Sequence, residues 1–144
     1  MRSVTRFATL LFATAALAAC DDKVPFSNVV TPIGPTTSIA GTWHLQTLNG
    51  QGLPQTITVG GIPVLLSESI LTLVATNSAA GTFSLAVTTD DGSGPVTNTV
   101  TGDYGLVGTA LTFVAGGVTV TGTWDGANML TLSEFGATAV YTRP

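Results

Sequence analysis

From Ile39 onward, apolar and polar residues alternate with a period of two. Val118, Val120 and Trp124 fall on one face of "VTVTGTW", and Thr119, Thr121 and Thr123 on the other. Phe83, Leu85 and Val87 oppose Thr82, Ser84 and Thr88 in the same way. Val96, Val100 and Tyr104 oppose Thr97, Thr99, Thr101 and Asp103. This period puts successive side chains on opposite faces of a strand, so it predicts half-buried antiparallel strands. One face is apolar and the other is mostly threonine, a residue that suits strands and meets water through its hydroxyl. Runs of this kind lie near 40–48, 54–59, 62–66, 69–75, 82–89, 96–104, 109–115, 118–124, 129–134 and 137–142. The stretch 54–66 supplies one strand or two. No segment has the periodicity of a long amphipathic helix.

Turn signals separate the runs: "NGQG" at 49–52, "NSAAG" at 77–81, "DDGSG" at 90–94, "GG" at 116–117 and "DGAN" at 125–128. The spacing predicts an all-β, antiparallel up-and-down meander. A meander this long avoids exposed edges by closing into a small barrel of eight or nine strands over residues 39–144. A weak repeat supports the reading. Glycine, a small or polar residue and an aromatic recur as "GTW" at 41, "GTF" at 81, "GDY" at 102 and "GTW" at 122. Its spacing predicts that every second strand begins alike.

The first nineteen residues follow another pattern. Arg2 and Arg6 precede the apolar run Phe7–Ala16, and Leu17-Ala18-Ala19 leads directly to Cys20. A positive n-region, an apolar h-region and a small-residue cleavage site are the parts of a secretory signal. The run is too short for a spanning helix, which needs about 20 apolar residues. Residues 20–38 contain Pro25, Pro32 and Pro35, lack alternation and read as a tether. In the competing reading, part of it packs on the domain.

Cys20 is the only cysteine. "LAAC" resembles the bacterial lipobox, in which a branched residue and two small ones precede a cysteine. The resemblance implies cleavage before Cys20, a diacylglyceryl group on its thiol and an acyl chain on its new amino group. It therefore implies a membrane partner, reached through an N-terminal lipid anchor on the extracytoplasmic side of the cell envelope. Two or more acyl chains anchor stably where one does not. The competing reading is a plain secretory signal with an incidental cysteine. Asp21-Asp22 resembles the inner-membrane retention signal of some enteric bacteria, and the choice between inner and outer membrane stays open.

Removal of residues 1–19 leaves two basic residues, Lys23 and Arg143, against eight acids, a formal charge of −6. This balance excludes nucleic acid as a partner, because phosphate binding needs a basic patch. The candidate chemistry is thin. His44 is the only histidine, and alternation turns it away from Trp43. No serine lies in a nucleophile elbow, and no set of His, Cys and carboxylates has metal-ligand spacing. The "DDGSG" stretch lacks the spaced ligands of a calcium loop and reads as a hairpin turn. Glu134 shares a face with Leu130 and Leu132, either as an inward carboxylate paired with Arg143 or as a rim residue. We expect no enzyme, no cofactor and no metal.

"IAGTWHLQTLNGQGLP", residues 39–54, resembles the first strand of lipocalin-like domains, where Gly-x-Trp opens the barrel. Here the match is Gly41 and Trp43. Arg143, in the terminal "YTR", stands where that family often places an arginine across the tryptophan. The resemblance implies a lipocalin-like barrel in which Gly41, Trp43 and Arg143 serve closure, the guanidinium stacking on the ring. It also implies a small apolar ligand, with Leu73, Phe83, Leu85, Val100, Tyr104, Phe113, Val120 and Leu132 as candidate lining. Avidin-like barrels and small periplasmic protease inhibitors of the barrel type share an early Gly-x-Trp. Accordingly two other roles stand beside ligand binding: a protein-binding module with a filled barrel, such as an inhibitor or assembly factor, and a structural surface lipoprotein.

The anchor is directly testable. Cys20→Ser should abolish acylation and shift the protein from the membrane pellet to the soluble fraction. Continued pelleting with unchanged mass would refute the lipoprotein reading.

Overall fold

The computed structural model describes residues 38–144, apart from Phe135 and the side chain of Glu134. The leader, Cys20 and nearly all of the expected tether lie outside the described residues. The alternating runs become ten strands: β1 (Gly41–Leu48), β2 (Gln51–Gly52), β3 (Gln55–Val59), β4 (Ile62–Ala75), β5 (Ala80–Asp90), β6 (Pro95–Val107), β7 (Ala110–Ala115), β8 (Val118–Trp124), β9 (Met129–Glu134) and β10 (Ala137–Thr142). All pairings are antiparallel.

Eight of these strands close on themselves. β4 through β10 form an unbroken meander, and β1 joins its ends by pairing with β10 on one side and β4 on the other. On one flank Leu45 lies opposite Tyr141, and on the other Trp43 lies opposite Leu71. β2 and β3 are additions outside the closed ring, β2 on β1 and β3 on the first half of β4. The fold is therefore an all-β, antiparallel, closed eight-stranded barrel with two extra strands, consistent with a small lipocalin-like barrel.

The runs 62–66 and 69–75 belong to one strand, not two. Leu66 pairs with Thr89 and Glu68 with Thr88, so a bulge sits at Ser67. The extra residue moves the inner face from Val64 and Leu66 to Ser69, Leu71 and Leu73. The bulge interrupts the phase of the alternation, and the sequence then reads as two strands. A second bulge at Gln46 does the same in β1, so that Leu45 and Leu48 both face inward.

The Gly-x-aromatic repeat is not a hairpin period. Gly41 opens β1 and Gly81 lies near the start of β5, but Gly102 and Gly122 lie well inside β6 and β8. The register explains the motif differently. Gly81 lies opposite Tyr104, and Phe83 opposite Gly102. Each strand offers a glycine where its neighbour offers a ring. A Cβ on Gly81 would lie 2.7 Å from the Tyr104 ring, and one on Gly102 would lie 2.7 Å from the Phe83 ring. Each would also strike a backbone carbonyl, that of Val74 or Val114. A narrow barrel admits the two rings because the glycines make room for them.

This close approach separates two glycines on one strand. Gly102→Ala should cost about 1–3 kcal/mol, the usual penalty of overpacking. Gly105→Ala has nothing within 4 Å of its Cβ and should be nearly neutral. Denaturant titration of both variants checks the contrast.

Candidate functional site

The two ends of the barrel differ. One end collects the start of β1, the ends of β4, β6, β8 and β10, and the chain from Ser38 to Ala40. We term this end the floor. Trp43 has no exposed surface. Its indole Nε1 donates to the Ile39 carbonyl at 3.0 Å. The Arg143 guanidinium carbon lies 4.2 Å from the centroid of the Trp43 ring. Its NH2 group donates to the Ser38 carbonyl at 2.8 Å. Arg143 Nε is buried and has no hydrogen-bond partner among the described residues. The ring face beneath the guanidinium offers it a cation–π contact instead. Gly41 holds φ at +140°, a backbone state that side chains of L-residues rarely adopt. Gly41 thus turns the entering chain so that Ile39 reaches the Trp43 nitrogen.

The backbone places Glu134 at the mouth end of β9, away from the floor where Arg143 lies. It pairs with Ala137, whereas Tyr141 pairs with Leu130. Arg143 lies six positions beyond Ala137, which is about 20 Å of extended chain. Among the described side chains, Asp125 is the acid that feels the Arg143 charge. Its carboxylate accepts the N–H groups of Ala127 at 2.8 Å and Met129 at 3.0 Å. The Met129 bond first, then that of Ala127, and more weakly the Arg143 charge hold its pKa below the ordinary aspartate value.

The middle of the barrel is filled. The Phe83 and Phe113 rings meet edge to face, 5.3 Å between centroids and 87° apart. Tyr104 lies tilted against Phe113 at 6.1 Å. Beside them the Ser69 and Tyr141 hydroxyls share a 3.0 Å hydrogen bond. That bond crosses over Leu45 and links β4 to β10 above the strand between them. Burial raises the pKa of the Tyr141 phenol, partly offset by the Ser69 hydroxyl.

The opposite end is the mouth, and there the packing loosens. Leu48, Leu53, Ile57, Leu85, Val87, Val100, Leu132 and Ala139 are only partly buried, each packed against the core from this side. The expected lining residues thus divide in two. Leu73, Phe83, Tyr104, Phe113 and Val120 are buried in the packed core, whereas Leu85, Val100 and Leu132 border the mouth. The expected lining left out Leu48, Leu53, Ile57, Val87 and Ala139, although alternation puts Val87 on the apolar face of its strand. For Leu48 the obstacle was the bulge at Gln46, which hides its inward phase.

The mouth is lopsided. β6 pairs with β7 only from Asp103 to Val107, yet it pairs with β5 from Pro95 to Gly105. β3, the first half of β4, the end of β5 and the start of β6 therefore rise past the closed ring as a wall. The turn at the top of this wall is self-contained. The Asp90 carboxylate accepts from Gly92 and Gly94, and that of Asp91 from Ser93. Both acids are engaged with their own backbone, as a hairpin turn requires. A separate surface depression of about 380 Å³ lies on the outside of β4–β6, bordered by Thr72, Val74, Thr82, Thr101 and Asp103. Among the described residues, no three His, Cys, Asp or Glu side chains gather to hold a metal ion.

Fold and site together define a class: a small closed up-and-down barrel with a sealed floor, a packed waist and an apolar mouth. No protein-family model matches the chain, and neither a curated protein nor a solved structure matches it significantly.

The floor contact predicts coupled mutational effects. Trp43→Ala should cost about 3–5 kcal/mol, as large-to-small changes of buried rings do. Arg143→Ala should cost about 0.5–2 kcal/mol in lost cation–π contact. In the Trp43→Ala background the arginine change should cost less, because its partner is gone. Denaturant titration of the two single variants and the double variant measures the coupling, and strict additivity would show that the contact contributes nothing.

Proposed function

We propose that this protein is a lipid-anchored protein of the cell envelope whose barrel takes a small apolar ligand into its open mouth. The observation that carries the reading is the group of partly buried aliphatic residues that pack against the core toward that end. Apolar surface left in contact with water around a concave opening is what a hydrophobic guest covers. The packed waist limits the guest to the mouth. An eight-stranded barrel is either filled by side chains or holds one small ligand; on this reading side chains fill the waist and the guest takes the mouth. The mouth residues Leu85, Val100 and Leu132 would make the contacts. The anchor rests on the "LAAC" sequence before Cys20.

The interlocked Phe83, Tyr104 and Phe113 rings favour a second reading, a protein-binding module whose barrel is only a support. Native mass spectrometry of detergent-extracted protein separates the two, since a retained small molecule supports the first and a co-purified protein the second. A fluorescent fatty acid serves as a defined probe. Leu85→Arg should weaken its binding by about tenfold or more, equivalent to about 1.4 kcal/mol. Val107→Arg, at the exposed floor end of β6, should leave it unchanged. Absence of both a retained molecule and saturable probe binding would overturn the ligand reading.

A further inference from the structure

The wall beside the mouth ends in an open strand edge. Over Pro95–Thr101, β6 pairs with β5 on one side and with nothing on the other among the described residues. The backbone groups on that side are identifiable. Leu106 N–H donates to the Ala79 carbonyl, so the even-numbered residues of β6 direct their backbone bonds toward β5. Antiparallel ladders alternate residue by residue, and no register shift interrupts β6. The backbone groups of Thr97, Thr99 and Thr101, and the Pro95 carbonyl, therefore point outward and unpaired.

Edges of this kind are templates for another strand, and proteins ordinarily blunt them with charge, bulges or short length. This one has none of those devices. Residues 95–102 carry no charge, and the stretch has no bulge. Its only interruption is Pro95, at the first position, where a missing N–H matters least.

The sequence of the edge is self-complementary. Val96-Thr97-Asn98-Thr99-Val100 reads the same in both directions. Asn98 is also the midpoint of the open stretch Pro95–Thr101. The geometry points to a second copy of this chain as the occupant of the edge, paired antiparallel about a two-fold axis through Asn98. In that register Thr97 of each copy exchanges both backbone bonds with Thr99 of the other. Each Pro95 carbonyl accepts from Thr101, giving about six backbone hydrogen bonds in all. Pairing stops at Thr101, because from Asp103 onward β7 holds the edge. The two-fold axis is perpendicular to the sheet, so the inner faces of the two walls adjoin. Val96 then meets Val100 on the inner face, Thr97 meets Thr99 on the outer face, and Asn98 meets Asn98. Threonine pairs already bond across this sheet, since the Thr88 and Thr97 hydroxyls lie 2.8 Å apart.

The shared surface is short, below the size of a stable interface, so association is weak and must be trapped. The full chain carrying Cys20→Ser and Asn98→Cys has one thiol, on the two-fold axis. Facing residues of a non-hydrogen-bonded pair have Cα atoms about 4.5 Å apart, within disulfide reach. Under mild oxidant this variant should form a disulfide-linked dimer about tenfold faster than the chain carrying Cys20→Ser and Val107→Cys, whose thiol is exposed but off the edge. Adding Thr99→Pro removes an outward N–H that β5 does not use. It should abolish the faster rate while leaving the β-type circular dichroism unchanged. Equal rates at positions 98 and 107 would overturn the proposal. So would an undiminished rate with Thr99→Pro in a folded chain.

Discussion

β1 carries hydrogen bonds on both of its sides, to β10 and to β4, and the rest of the barrel depends on that double pairing. An antiparallel meander left open has two edges with unpaired backbone groups. Here one short strand satisfies both. Its start meets β4 over Gly41–His44, and its length from His44 to Leu48 meets β10. The Gln46 bulge lets it bend between the two. Trp43 lies under that junction, and the Ser69–Tyr141 hydrogen bond passes over it. The same strand is therefore held by its backbone on two flanks and by side chains beneath and across it.

Closure with so few strands leaves a narrow interior, and the second constraint follows from the first. Three aromatic rings share the waist. Two of them enter only because Gly81 and Gly102 lie opposite them. The glycines of this chain are thus partly a packing device rather than punctuation between strands. Beyond the rings, the described residues toward the mouth are aliphatic and only partly buried.

The sequence made some of this legible and hid the rest for identifiable reasons. Strict alternation located β5 through β10, because a strand with one wet face prints its period directly in residue type. Gly41, Trp43 and Arg143 were legible as a closing set through their resemblance to lipocalin-like domains, and the structure brings the guanidinium onto the ring. β4 was read as two strands because a single bulged residue at Ser67 reverses the phase. The glycine–aromatic repeat was visible but its meaning was not, since cross-strand register is a property of pairs and a period is a property of one chain. The wall was hidden for a similar reason. Alternation shows that β5 and β6 are long, but only pairing shows that β7 is too short to cover them. The division of the interior into a packed waist and a looser mouth depends on ring positions across three strands, which no local pattern records.

Ser38 and Arg143 lie together at the floor, joined by a hydrogen bond between a carbonyl and a guanidinium. Whatever holds the segment upstream of Ser38 therefore holds the barrel by its closed end. The chain thus enters beside the Trp43–Arg143 stack, and its point of entry and the tall side of the wall lie at opposite ends of the barrel.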